Sequence, residues 1–150
     1  MLEADFSEDE VWAAVSDCNG NKAPGPDGFN LLFFQKFWKV LKGEVLNFMQ
    51  EFHASGRLFP GLNSSFISLV PKKEKALTLN EFRPISLIGS IYKILSKVLT
   101  NRLKLVMPWI LGDSQSAFLR GRNILDCILI ANEVVDCLVK SKKAGLLFKI

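Results

Sequence analysis

The sequence of 150 residues contains a single histidine, His53, and only three cysteines. One histidine gives little support to a metal site built from several imidazoles or to a Ser-His-Asp triad. Cys18, Cys127 and Cys137 form no CxxC pair, and their odd number argues against a disulfide framework and a zinc site. We therefore predict that they are reduced residues of the core.

Long hydrophobic runs are also missing. No apolar stretch reaches the roughly 18 residues of a membrane span, and the longest candidate, residues 124–139, carries Asp126, Glu133 and Asp136. The N-terminal residues are acidic, whereas a signal peptide begins with basic residues. We therefore expect an intracellular protein, nuclear or cytoplasmic, that is neither secreted nor bound to a membrane.

Familiar catalytic signatures are absent as well. The sequence has no GxGxxG, Walker loop, HExxH or GxSxG motif, and its carboxylates are scattered without a spacing that would hold two metal ions. The composition, 49% hydrophobic and 23% charged residues, is that of one globular domain with a sizeable core.

The charge is distributed unevenly along the chain. Residues 1–70 carry five basic and nine acidic side chains, whereas residues 71–150 carry fourteen basic and six acidic ones. A basic half is typical of a protein that binds a polyanion, nucleic acid before a membrane surface. The alternative is a solvated, lysine-rich surface without a ligand.

Helical periodicity predicts four helices. They cover about residues 8–18, 31–54, 90–106 and 124–141. The second has Gly43 as a candidate kink and ends at Gly56, and Pro108 ends the third. The apolar stripe of the second helix is predicted to lie in the core. It comprises Phe34, Phe37, Trp38, Leu41, Val45, Phe48, Met49 and Phe52.

Short β-like runs predict a small antiparallel sheet. Residues 66–70 and 83–87 are joined by a charged loop and form the predicted hairpin, and a further strand is expected at 145–150. The fold class predicted is therefore α+β, rich in helix.

The cations at the end of this hairpin are the first candidate site. Lys72 and Lys73 follow one strand and Arg83 begins the other, so a hairpin directs all three towards a common point. An Arg fork and Lys point charges suit triphosphate oxygens. The alternative is a solvated hairpin in which Arg83 binds Glu81 or Glu74.

Two other basic or rigid segments are candidates for binding nucleic acid. Lys93, Lys97 and Lys104 form a stripe on the third helix, opposite its apolar face of Ile91, Ile94, Leu95, Val98, Leu99 and Leu103. The loop 22–28 contains two prolines and two glycines, which predicts a stiff loop of defined shape.

A set of motifs that occurs in a fixed order links the chain to a known family. They are Lys22-Ala23-Pro24-Gly25-Pro26-Asp27-Gly28-Phe29, Leu62-Asn63, Ile67-Ser68-Leu69-Val70-Pro71-Lys72, Phe82-Arg83-Pro84-Ile85-Ser86-Leu87, Tyr92-Lys93-Ile94, Ser96-Lys97, Asn101-Arg102-Leu103, Gln115-Ser116-Ala117-Phe118 and Gly121-Arg122. In this order, they strongly resemble the reverse transcriptase domain of LINE-type non-LTR retrotransposons, most closely that of plant elements. The resemblance covers about residues 8–150.

The resemblance implies one partial domain of a right-hand polymerase. Residues 1–60 correspond to a helical N-terminal extension, 61–123 to the fingers and 124–150 to the start of an incomplete palm. It implies that Lys72 and Arg83 contact the phosphates of the incoming nucleotide, and Lys73, which the hairpin directs to the same point, completes the candidate nucleotide site. It also places the loop with Lys22, Gly25 and Asp27 near the template and primer, and it assigns Gln115, Phe118 and Arg122 to a segment that shapes the template and nucleotide pocket. Lys93, Lys97 and Lys104 join this set of nucleic-acid-binding candidates as the basic stripe of the third helix.

The resemblance further implies RNA-directed DNA polymerisation that uses Mg²⁺, an RNA template, a DNA primer and deoxynucleotides in the complete enzyme. The family's metal-binding aspartates lie beyond the position of Ile150, so we expect a fragment that is inactive alone, truncated at its C-terminus, as from a pseudogene or partial gene. Three alternatives remain: a non-catalytic nucleic-acid-binding module, a group II intron maturase-like fragment and a helical protein-interaction module.

Overall fold

The computed structural model describes residues 2–112, 115, 121, 123–142 and 144–145. In this part of the chain, five α-helices and a two-stranded antiparallel sheet form a helix-rich α+β structure, which confirms the predicted fold class. The chain divides into two compact units, Met1–Leu105 and Val106–Ile150. Within the described residues, no helix is long and apolar enough to cross a membrane.

Helix α1, Glu8–Ser16, begins where the sequence predicts. Ser7 is extended, and its Oγ accepts the N–H of Glu10 at 3.2 Å, which satisfies one of the unpaired donors of the first turn. The helix ends at Ser16, with Asp17 as its C-cap, near the predicted end. Gln35 binds carbonyls at and just beyond this end of the helix: its Nε2 donates to Val15 O at 2.9 Å and to Cys18 O at 2.8 Å.

The predicted second helix is two helices, α2 (Leu31–Lys36) and α3 (Trp38–Ser55), so the single continuous helix was wrong. The break falls at Phe37, whose backbone leaves helical geometry with φ −102° and ψ 19°, and α3 continues through Gly43. Breaking here allows Trp38 to be buried while Phe37 is exposed and packs its ring on Phe33 at 5.1 Å. Phe37 is thus the one aromatic of the stripe that tertiary packing excludes from the core.

Strands β1, Ser65–Pro71, and β2, Phe82–Ile88, form the predicted hairpin. Ser65 pairs with Ile88 at one end, and Pro71 pairs with Phe82 at the other. The ladder extends one step further, because the N–H of Lys72 donates to Glu81 O at 2.7 Å. Both faces of β1 are exposed.

Helix α4, Ser90–Ile110, runs further than predicted and contains Pro108, so Pro108 does not end it. Pro108 lies in the exposed last turn, and its ring nitrogen cannot donate to the carbonyl of Lys104 as another residue would. Its buried face continues from Val98 to Arg102, whereas Leu103, predicted on that face, is 48% exposed. Residues 94, 98 and 102 recur at intervals of four, which keeps them on one stripe.

Helix α5, Ile124–Ser141, confirms the predicted bounds. Cys127 and Cys137 are exposed on it and Cys18 is half-buried, so the predicted core location is wrong for the first two. The strand predicted at 145–150 lies largely outside the described residues.

One hydrophobic cluster joins α1, α2, α3 and α4 in the first unit. Its buried members are Phe6, Val11, Ala14, Val15, Leu31, Phe34, Trp38, Val45, Met49, Ile94, Leu95 and Val98. This core fixes α4 against the N-terminal helices and thereby positions the segments described next.

Candidate nucleotide and nucleic-acid site

The loop 22–28 is docked on the start of α4. A Cβ on Gly25 would stand less than 3.0 Å from backbone atoms of Ile88 and Gly89, so only glycine permits this approach. The carboxylate of Asp27 accepts the N–H of Ser90 at 2.5 Å and so supplies the N-terminal cap of α4 from another segment. Two residues predicted to bind nucleic acid, Gly25 and Asp27, therefore also hold the fold together.

Two further hydrogen bonds join α4 to this loop and to Phe29, the residue that follows it. Ser90 is fully buried, and its Oγ donates to Phe29 O at 2.7 Å. Lys93 Nζ donates to Ala23 O at 3.1 Å. Because a carbonyl is neutral, Lys93 keeps its positive charge in this contact.

A groove of about 510 Å³ lies beside these contacts, between the end of α1 and α4. It is lined by three lysines and a single carboxylate, with neutral side chains between them: Asp17, Cys18, Asn19, Lys22, Leu31, Ile88, Tyr92, Lys93, Ser96, Lys97 and Thr100. We call it the lysine groove. The structure thus brings together Lys22, Lys93 and Lys97, which sequence analysis predicted from separate motifs.

Lys97 and Asp17 form an ion pair in the lysine groove. Lys97 Nζ stands 2.5 Å from Asp17 Oδ2. The hydrogen bond from Lys97, its charge and the more distant charge of Lys104 hold the pKa of Asp17 below its usual value. The same hydrogen bond raises the pKa of Lys97, so both groups are charged at neutral pH. Lys104, the third lysine of the predicted stripe, is exposed outside the groove lining.

The hairpin loop is organised by Glu81. Its Oε2 accepts the N–H groups of Leu77 at 2.7 Å and Thr78 at 3.2 Å, and its other oxygen pairs with Lys73. The hydrogen bond from Lys73, followed by those from the two backbone groups, lowers the pKa of Glu81. Lys72 Nζ donates to Asn80 O at 2.8 Å.

Arg83 differs from these two lysines. It is exposed opposite Val70, and within the described residues no carboxylate pairs with it. The alternative in which Glu81 or Glu74 neutralises Arg83 is therefore not what the structure shows, because Glu81 is paired with Lys73. Lys72 directly follows β1, and its backbone bonds Glu81 two positions beyond the Val70–Arg83 pair, so Lys72 and Arg83 lie at the same end of the hairpin.

A second, smaller cavity of about 360 Å³ shares Tyr92 with the lysine groove. Pro26, Asp27, Leu62 and Gly89 are among the residues that line it. Four of the nine lining residues, Pro26, Asp27, Leu62 and Tyr92, belong to the motifs of the resemblance. They come together because the docked loop 22–28 and residues 60–64 flank the start of α4.

Arg102 is a buried charged residue, a feature that often marks a functional site, and the sequence did not predict a role for it. Its side chain is only 7% exposed, and it binds Glu10 through both Nε and Nη2 at 2.6 and 2.7 Å. The signal available in the sequence was an arginine on the apolar stripe of α4. Its contacts show that it stabilises the fold, with no donor left for a ligand.

The remaining predicted site residues lie at the far end of the chain. Phe118 and Arg122 are outside the described residues. Gln115 is exposed, and its N–H donates to Gly112 O at 3.2 Å. Among the residues that the structure describes, no three His, Cys, Asp or Glu side chains form a group that would hold a metal ion.

Comparison with known proteins gives one informative match. No protein-family profile matches the chain. The chain is 32% identical over 145 residues to the transposon TX1 uncharacterized 149 kDa protein of Xenopus laevis. The match covers 97% of this chain but only 11% of that protein. The chain is therefore similar to one segment of a transposon protein over nearly its whole length.

Proposed function

We propose that this chain is the nucleotide- and template-binding part of an RNA-directed DNA polymerase of a non-LTR retrotransposon. The observation that carries the proposal is the cationic end of the hairpin. There, the backbone of Lys72 bonds Glu81 two positions beyond the Val70–Arg83 pair, and no described carboxylate pairs with Arg83. We call this pair the hairpin cations.

The chemistry of the hairpin cations suits a triphosphate. An arginine presents a planar fork of donors that matches phosphate oxygens, and such charge-assisted bonds are about twice as strong as neutral ones. Lys72 adds a point charge that the neutral carbonyl of Asn80 leaves intact. Lys73 is paired with Glu81, so we assign it the weaker contribution.

Two further findings support the proposal. Asp27 and Lys93 join the loop 22–28 to α4. Two segments that carry motifs of the reverse transcriptase resemblance are therefore in direct contact. The similarity to a transposon protein supports such an origin. The proposal assigns binding of the triphosphate and of the template to this chain.

Titration with a fluorescent deoxynucleoside triphosphate tests the proposal directly. Arg83→Gln should weaken binding about tenfold or more, because a hydrogen bond to a charged group contributes about 1.5–3 kcal/mol. Lys39→Gln, which removes the same charge from an exposed site on α3, is the matched control. Equal affinities of these two variants would refute a phosphate role for Arg83.

A second candidate function is supported by the lysine groove. A non-catalytic nucleic-acid-binding module would bind RNA or DNA through Lys22, Lys93 and Lys97 but would not bind a free triphosphate through Arg83. Its affinity would fall with salt, as phosphate contacts require. The triphosphate titration therefore separates the two candidates.

A further inference from the structure

The lysine groove contains one acidic side chain in an unfavourable place. Asp17 is the C-cap residue of α1, and no basic residue occupies the last turn of that helix. A carboxylate at a helix C-terminus is repelled by the negative end of the helix dipole. The partner that offsets this repulsion is Lys97, which comes from α4.

The Asp17–Lys97 pair is accessible from the groove. The side chain of Asp17 is 67% exposed, and that of Lys97 is 25% exposed. Exposed ion pairs are weak, so a competing anion can displace one partner of this pair. Lys97 is the more confined of the two, so the carboxylate is the group that leaves.

We propose that the Asp17 carboxylate occupies the position of a backbone phosphate on Lys97, and that nucleic acid displaces it on entering the lysine groove. The inference rests on the proposed nucleic-acid binding and adds its regulation. Asp17 acts as a built-in competitor that weakens non-specific binding of phosphates. A backbone that also contacts Lys22 and Lys93 gains enough to displace it.

The test is fluorescence anisotropy with a labelled oligo(U) of about 20 nucleotides at about 50 and 200 mM NaCl. Asp17→Asn should raise affinity about two- to fivefold at the lower salt, which is the binding equivalent of an exposed ion pair. The matched control is Glu44→Gln, which removes the same charge from α3 and lines neither cavity. Asp17→Ser repeats the charge removal with a different side chain.

The double variant Asp17→Asn/Lys97→Gln shows whether Asp17 acts through Lys97. The gain from Asp17→Asn should vanish when Lys97 is already glutamine. A gain no larger than that of Glu44→Gln, or one that persists without Lys97, would overturn the competitor role. Thermal unfolding monitored by circular dichroism confirms that each variant is folded.

Failure of the competitor role is distinct from failure of nucleic-acid binding. If Lys97→Gln weakens oligo(U) binding and Asp17→Asn matches Glu44→Gln, the groove binds nucleic acid and only the competitor role is refuted. If the unaltered chain and all variants lack salt-sensitive binding, nucleic-acid binding by the groove is refuted, and the competitor role with it.

Discussion

Arg102 Nε lies 2.6 Å from Glu10 Oε1, a contact that joins residues 92 positions apart. The other four N–H groups of the guanidinium are also used. Nη2 donates to Glu10 Oε2 and to Asp5 O, and Nη1 donates to Leu2 O and Ala4 O. Because all five donors of an arginine are satisfied here, this buried charge fastens the N-terminal segment to α4.

Removing the guanidinium should therefore destabilise the fold strongly. Arg102→Met should lower the free energy of unfolding by about 3–5 kcal/mol, the usual cost of breaking a buried ion pair. The free energy of unfolding of Arg102→Lys should lie between those of Arg102→Met and the unaltered chain, because a lysine keeps the charge but not the planar fork. Urea denaturation measures both. Arg57→Gln, at an exposed site, should change stability by less than about 0.5 kcal/mol.

Stability at acid pH should depend on Glu10. The hydrogen bonds from Arg102 hold the pKa of Glu10 below its ordinary value of 4.5. The stabilisation that this carboxylate provides is therefore complete above pH 4.5 and is lost as pH falls through the lowered pKa of the folded state. The stability difference between the unaltered chain and Glu10→Gln should be constant above that pH and shrink below it. Parallel curves of unfolding free energy against pH would contradict this assignment.

Two glycine substitutions should change the stability of the fold in opposite directions. Gly25→Ala forces a Cβ into the backbone of Ile88 and Gly89 and should destabilise the chain by about 1–3 kcal/mol. Gly43→Ala, in the middle of α3, meets no atom within 4 Å. It should stabilise by about 0.4–1 kcal/mol, since alanine loses less backbone entropy in a helix. Thermal unfolding of the two variants provides the comparison, and equal effects would argue against the docked loop.

The Asp27 cap gives an independent test of the same loop. Asp27→Ala leaves the N–H of Ser90 without its acceptor and should cost about 0.5–2 kcal/mol. Amide hydrogen exchange at the first turn of α4 should accelerate, while exchange in α3 is unchanged. Asp9→Ala, which removes an exposed carboxylate of α1, serves as the control. Unaltered exchange at Ser90 would show that another group caps α4.

The hairpin should promote association of the chain at high concentration. Ile67 is 68% exposed in β1, and within the described residues the sheet has two strands, so its apolar faces and strand edges are accessible there. Ile67→Lys should increase the monomer fraction in sedimentation experiments without lowering the thermal unfolding temperature. Val40→Lys replaces an apolar residue that is 77% exposed on α3 and should have little effect. Identical behaviour of the two variants would exclude the hairpin as the source.

Local patterns in the sequence determined much of the secondary structure. Ser7 caps α1, Gly56 ends α3 with φ 64°, and the two β-like runs pair as predicted. Each of these features depends on residues within one turn or one hairpin, so a short window of sequence contains the physical cause. The hairpin cations follow from the same reasoning, because pairing two adjacent strands brings their ends together.

Tertiary structure alone decided the rest. The break at Phe37 depends on burying Trp38, and the burial of Arg102 depends on Glu10. Asp27 caps a helix that begins 63 residues later, and Asp17 pairs with a lysine of that same helix. These contacts join segments that are distant in the chain. They can form only when the core packs α4 against the N-terminal helices. The residue types were therefore visible in the sequence, whereas their partners were determined by the fold.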